Sequence, residues 1–214
     1  HMLFANRFEA GKQLAQALDD YEDMQGVIVL GIPRGGVEVA HVVANELKAD
    51  LNVIVTKKIS FPGRPEAAIG AVSPDGKTKM EDSWIDYEGI SREYVAGEVK
   101  KLKVDIKAMY KEYTGKTTPP TIQGKTVIVV DDGAATGQSV KATVEFLQAQ
   151  KAKKVVIGLP VAPKEVIIAL EDMADEVICL HNPLVFYAIR EFYNEFEELT
   201  DDQVKSFLKQ KKKK

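Results

Sequence analysis

Two neighbouring carboxylates, Asp131 and Asp132, stand between an apolar run, Val127 to Val130, and a string of small and hydroxylated residues: Gly133, Ala134, Ala135, Thr136, Gly137, Gln138 and Ser139. After them apolar positions recur at Val140, Thr143/Val144 and Leu147, a helical spacing. Small residues let a ligand come close to the main chain. The free N–H groups and the dipole of a helix that starts there favour a phosphate, and Thr136 and Ser139 add hydroxyl donors. A phosphate in this loop would be repelled by the two acids at contact. The acids must therefore face something else, either sugar hydroxyls or a metal ion. A ribose 5-phosphate satisfies both halves, with its phosphate in the loop and its 2- and 3-hydroxyls on the acids.

The elements that position these residues follow from the pattern around them. A continuous run with three valines fits a strand buried on both faces, as in a parallel sheet, and ligands of open α/β sheets bind at the carboxyl ends of the strands. A second strand–loop–helix unit runs from Val27 to Leu30, through Gly31, Pro33, Arg34, Gly35 and Gly36, into a helix lined by Ala40, Val43, Ala44 and Leu47. Its glycines do not fall as GxGxxG, nor do they form a Walker loop. The N–H groups of Gly35 and Gly36 at a helix start suit a diphosphate, with Arg34 as a bidentate cation; the plain alternative is a Gly-Gly turn beside a surface arginine. Leu51 to Val55 read as a further strand that ends at Lys57 and Lys58, and strands are also expected over Lys154–Leu159 and Glu176–Leu180. Strands alternating with helices imply right-handed crossovers and a parallel sheet.

Composition narrows the classes. The 214 residues carry a net charge of −3 and are 45% apolar, enough for a real core and unsuited to nucleic-acid binding by overall electrostatics. The single cysteine, Cys179, excludes an intrachain disulfide and reads as a core residue. No apolar run approaches the ~20 residues of a membrane span and no secretory signal is visible, so a cytoplasmic protein without a membrane partner is expected. His1-Met2 has the look of a cloning scar.

The stretch 127–139 closely resembles the phosphoribosyl pyrophosphate (PRPP) motif of type I phosphoribosyltransferases: four large apolar residues, two acids, small residues, Thr-Gly, then a serine two positions on. Gln138 departs from it, since many members have a second glycine there. Residues 31–36 resemble the pyrophosphate loop of the same family. A response-regulator receiver also places paired acids after a strand, but near the start of its domain and without the small-residue loop. The resemblance implies an α/β fold with a Rossmann-like parallel sheet and helices on both faces. It implies a flexible hairpin lid at about 57–90 and a small hood at about 181–199, within one domain over 1–214.

The same resemblance implies transfer of ribose 5-phosphate from PRPP to a nitrogenous base. Asp131, Asp132, Arg34, Lys57 and Lys58 would form the catalytic set. Gly35, Gly36, Gly133, Ala134, Ala135, Thr136, Gly137, Gln138 and Ser139 would bind substrate. Mg²⁺ would be held mainly through PRPP and pyrophosphate oxygens, with no protein metal cage, and a homodimer is left open. The alternatives are a PRPP- or nucleotide-binding regulator without turnover and, last, a phosphate-ester hydrolase with Asp131 as nucleophile, for which the alanines after the acids give no proton relay.

The rest of the chain supplies the frame. Residues 6–22 read as a helix opened by Asn6 and Glu9, and FANRFEAGKQLAQAL resembles the opening of a subgroup of phosphoribosyltransferase-like proteins whose acceptor is unassigned. Arg7 there is either structural or reaches the site. Residues 59–66 read as loop, with Arg64 and Glu66 as lid candidates, and AAIGAV and Lys77–Met80 as arms of a hairpin turning at Ser73–Gly76. Residues 91–113 read as an amphipathic helix across the sheet, with a lysine-rich outer face and helix pairing in a dimer as the sharper option. In 181–199, Phe186, Tyr187, Phe192, Tyr193 and Phe196 divide between core and a hood able to stack on a heterocycle, while His181 reads as a loop histidine. Thr200 and Gln203 open a last helix, and Lys211–Lys214 read as a frayed tail.

Overall fold

The computed structural model describes residues 2–80 and 89–209. The helices are α1 (Arg7–Ala17), α2 (Gly35–Leu47), α3 (Arg92–Thr114), α4 (Gln138–Ala149), α5 (Lys164–Glu171) and α6 (Asp201–Lys209). The strands are β1 (Val27–Gly31), β2 (Asp50–Val53), β3 (Lys57–Phe61), β4 (Arg64–Val72), β5 (Thr78–Met80), β6 (Thr126–Val130), β7 (Lys154–Val161) and β8 (Glu176–His181). None of the described helices is long and apolar enough to cross a membrane.

Five strands form a sheet in the order β2-β1-β6-β7-β8, and every neighbouring pair is parallel. β6 is buried at every position because it lies in the middle, with a layer of helices on each face. Successive side chains of a strand point to opposite faces. Val127 and Val129 accordingly pack with Val140, Val144 and Leu147 of α4 and with Val166 and Leu170 of α5. Ile128 and Val130 pack with Leu14 of α1 and Val39, Ala40, Val43 and Leu47 of α2. The expected parallel sheet covered on both faces is therefore the observed one. The chain passes outward from β1 to β2 and then returns to β6 on the other side. The order reverses between β1 and β6, and the crevice at such a switch point is where open α/β sheets take ligands.

Lys57–Phe61 does not continue β2 or enter a loop. β3, β4 and β5 form a separate antiparallel sheet in that order, with Lys57 opposite Val72 and Lys58 opposite Ala71. The expected loop at 59–66 is instead a tight connection at Pro62-Gly63 between two strands. The sequence hid it because Lys57-Lys58 and Arg64-Pro65 lack the alternation of a half-buried strand. The Ser73–Gly76 turn is as expected, closed by Gly76 N donating to Ser73 O at 2.8 Å. The part of the expected lid at 81–88 lies outside the described residues, as does the 211–214 tail.

α3 packs on this second sheet and on α6, where Ile106, Tyr110 and Tyr113 are buried with Ile59, Ile69, Val72 and Val204. The helix was expected to lie across the main sheet, and the independent antiparallel layer takes it instead. Val55 N donates to the buried Tyr110 hydroxyl at 2.9 Å, tying α3 to the segment that joins the two sheets. At the other end of the chain, Leu3 N and Phe4 N both donate to Phe192 O at 2.9 Å. Phe4, Phe192 and Tyr193 are buried in a small aromatic cluster with Phe186 and Phe196 packed beside them, whereas Tyr187 is 82% exposed.

Replacing Tyr110 by Phe would leave the Val55 N–H buried without an acceptor, at a cost of about 1–3 kcal/mol. A lower urea midpoint at unchanged slope is the expected result.

Candidate active site

The two loops singled out from the sequence meet at the switch point, and they touch. A Cβ built on Gly35 would lie 2.1 Å from Asp132 Oδ2, and one on Gly36 would lie 2.8 Å from Asp131 Oδ1. Any side chain at either position would displace the acid pair. This is a reason for the two glycines that needs no ligand, and it places the N-terminal end of α2, with its partial positive charge, against two carboxylates. The loop before it contains a cis Pro33–Arg34 peptide.

The acids are not equivalent. Asp132 is 8% exposed, and its Oδ2 accepts from Arg7 Nε at 3.0 Å. Its carbonyl accepts from the Tyr193 hydroxyl at 2.6 Å. Its own N–H donates to Asp131 Oδ1 at 2.8 Å. Asp131 keeps partial access to solvent and forms no ion pair among the described residues. Burial first, and then the neighbouring Asp132 charge, push the Asp131 carboxyl well above the usual carboxylate range. Burial raises Asp132 as well, and Arg7 opposes that rise. Arg7 itself is 6% exposed and was the residue whose role the sequence left open; it reaches the site.

Beyond the acids, Ala134 is buried and its N–H donates to Val161 O at 3.0 Å, so that donor is already taken. Among the described residues no main-chain acceptor is paired with the N–H groups of Ala135, Thr136 or Gly137. Gly137 has φ +74, a left-handed conformation that suits glycine, and leads directly into α4. The first N–H groups of a helix have no partner within it. Ala135, Thr136 and Gly137 therefore present a row of donors, with the exposed Thr136 at its rim, while Gln138 N donates to Thr136 Oγ1 at 3.5 Å. Ser139 lies in the first turn of α4, and its carbonyl accepts from Thr143 Oγ1 at 2.7 Å.

The remaining candidates lie further out. Arg34 Nε donates to Asp201 Oδ1 at 3.1 Å, and the same oxygen accepts from the Tyr113 hydroxyl at 2.7 Å. These two bonds hold the Asp201 carboxyl below its ordinary value. Lys57 and Lys58 begin β3, and neither pairs with Asp131 or Asp132 among the described residues. Thr56, just before them, bonds Thr143 of α4 at 3.0 Å, which brings the chain to the helix that follows the donor row. Among the described residues no group of three or more His, Cys, Asp or Glu side chains is placed to hold a metal. Cys179 is half-buried, and burial pushes its thiol up to about 11, away from the lowered values of activated cysteines. His181 ends β8 with its ring edge on Phe4.

A model of the phosphoribosyl transferase domain matches residues 2–193. The chain is 35% identical over 206 residues to a Mycobacterium tuberculosis (strain H37Rv) protein provisionally named phosphoribosyl transferase Rv0571c, with 96% of this chain and 46% of that protein aligned. The chain thus spans about half the length of the curated relatives it matches. The crystal structure of TT1426 from Thermus thermophilus superposes with a TM-score of 0.82 at 34% identity, over 97% of this chain and 98% of that one. A hypothetical protein from Neisseria gonorrhoeae, solved with bound ppGpp, shares the fold alone, with a TM-score of 0.50 and 11% identity over 97% and 96% of the two chains.

The raised Asp131 pKa gives a signed expectation. The folded state binds more protons than the unfolded chain between the unfolded value of about 3.9 and the higher folded one. This contribution to stability is full below the unfolded value and is lost as pH rises through the folded value. Asp131→Asn removes the charge while keeping an acceptor for Asp132 N–H. It should stabilise the protein by ~1 kcal/mol at pH 7 and lose that advantage below about pH 4, as read by thermal melts across pH.

Proposed function

Since the chain belongs to the phosphoribosyl transferase domain family, we propose that it transfers ribose 5-phosphate from PRPP to a nitrogenous base with release of pyrophosphate. The observation that carries this reading is the meeting of two loops at the switch point, an acid with partial access to solvent on one side and the N–H groups of Ala135, Thr136 and Gly137, which have no main-chain acceptor among the described residues, on the other. In this reading the 5-phosphate sits on residues 135–139, and Asp131 accepts from the ribose hydroxyls. The diphosphate lies toward the start of α2 and Lys57 or Lys58, and Arg34 joins it by exchanging the exposed Asp201 for a phosphate oxygen. A ring nitrogen of the acceptor attacks the anomeric carbon, the bond from that carbon to the diphosphate oxygen breaks, and its electron pair leaves with pyrophosphate.

The protein's part is positioning and fixed charge, which accounts for most of the rate in such displacements. Mg²⁺ would be held chiefly by PRPP and pyrophosphate oxygens, since it prefers phosphate oxygens and waters to an all-protein cage. When bound, Mg²⁺ neutralises charge on the leaving diphosphate. The second reading, a nucleotide- or PRPP-binding regulator without turnover, is favoured by the Arg34–Asp201 pair, which occupies the cation assigned to the diphosphate.

Release of pyrophosphate from PRPP with Mg²⁺, across a panel of purine, pyrimidine and other amine acceptors, separates the two. Turnover with any acceptor supports transfer, whereas calorimetric PRPP binding with no release across the panel supports the regulator. Asp131→Asn is expected to weaken PRPP binding about tenfold, ~1.4 kcal/mol, and Gly35→Ala to abolish it by displacing Asp132. Wild-type affinity in both variants would remove the site assignment.

A further inference from the structure

We propose that Arg7 is a positioning residue of this site: its guanidinium anchors Asp132, and Asp132 in turn aims the carboxylate of Asp131. The consequence for catalysis rests on the transfer reading above; the anchoring does not. Arg7 opens α1, far from either loop in sequence, and is almost wholly buried. Its Nε donates to Asp132 Oδ2 at 3.0 Å and its Nη1 to Glu197 O at 2.6 Å. Its guanidinium lies 4.0 Å from the centre of the Phe196 ring, and Nη1 is 3.8 Å from Glu38 Oε2. Four segments that border the crevice therefore converge on one cation: the end of β6, the first turn of α2, residues 196–197 and α1 itself.

The effect passes to Asp131 through the main chain. Asp132 is gripped at its side chain by Arg7 and at its carbonyl by Tyr193, and its N–H then points at Asp131 Oδ1 at 2.8 Å. With one Asp132 oxygen committed to Arg7, Asp131 is the acid left to meet a sugar hydroxyl. The groups facing the pair are Arg7 from α1, Glu38 from α2 and Tyr193 from the C-terminal segment, and Arg7 is the cation among them. Glu38 is a third carboxylate, so among the described residues Arg7 is the side-chain cation paired with this group of acids. A guanidinium is suited to this because one rigid fork serves a carboxylate and a carbonyl together.

The test uses carboxyl ¹³C titration of the ligand-free protein alongside calorimetry with PRPP and Mg²⁺. Arg7→Gln is expected to raise the apparent midpoints of the aspartate pair by about one unit or more, and Arg7→Lys to restore most of that. Arg7→Gln should also lower PRPP affinity at least tenfold, yet change it less than twofold when Asp132 is already Asn, because both substitutions break one linkage. Unmoved midpoints, or losses that multiply independently, would overturn the proposal. If the midpoints shift while wild-type protein binds no PRPP, the transfer reading falls and the anchoring role stands. Should Arg7→Gln not fold, Arg7→Lys decides: an ammonium keeps the charge but lacks the rigid fork that serves Asp132 and Glu197 O from two nitrogens, so several-fold weaker PRPP binding at near wild-type midpoints is expected, and unchanged affinity refutes positioning.

Discussion

Two adjacent carboxylates set at the rim of a covered sheet must be compensated, because a low-dielectric surrounding penalises each charge and the charges repel one another. The compensation organises this end of the molecule. Arg7 pairs with Asp132, the start of α2 brings the positive end of its dipole, and the Asp132 N–H bonds Asp131. Gly35 and Gly36 are the only residue type that lets α2 come so near, since even a methyl group would collide with the acids. The repair is incomplete at Asp131, whose carboxyl burial and the neighbouring Asp132 charge hold well above the usual carboxylate range.

The parallel sheet explains why the compensation occurs there. Reversal of strand order between β1 and β6 leaves their carboxyl ends side by side without a crossover above them. The second sheet and α3 form a separate body of core, joined to the first through Val37, Val53 and Val55. Its links to the site are few and polar: Thr56 to Thr143, and Tyr113 with Arg34 on Asp201. The Thr56–Thr143 contact is buried, whereas the Arg34–Asp201 pair is exposed and worth little by itself.

The aromatic C-terminal segment serves this same end. Phe4, Phe192 and Tyr193 form a core of their own with the N-terminal residues, and Tyr193 spends its hydroxyl on the Asp132 carbonyl. Tyr187 remains outside that cluster. A segment that looked from its composition like one aromatic surface is thus divided by packing into a buried support and an exposed tip.

Much of this was legible in the sequence. The run 127–130 read as a doubly covered strand, since a short apolar run rich in valine and ended by a loop of small residues fits one. The acid pair, the small-residue loop and the Thr200–Gln203 cap were readable because each is written in contiguous residues; the cap is realised by Thr200 N on Gln203 Oε1 at 2.8 Å and Gln203 N on Thr200 Oγ1 at 3.2 Å. What contiguous residues cannot state is which distant group answers a charge. Arg7 and Asp132 are 125 positions apart, and Arg34 meets Asp201 across 167. Nothing in the local pattern at Lys57–Phe61 distinguished a strand of a second sheet from a loop, because strand formation there depends on a partner, β4, rather than on its own alternation. The sequence determined the strands of the parallel sheet, the donor loop and the acids, all set by local periodicity and residue size. Tertiary structure alone decided that one acid is anchored and the other open, because that follows from long-range burial and the position of a single cation.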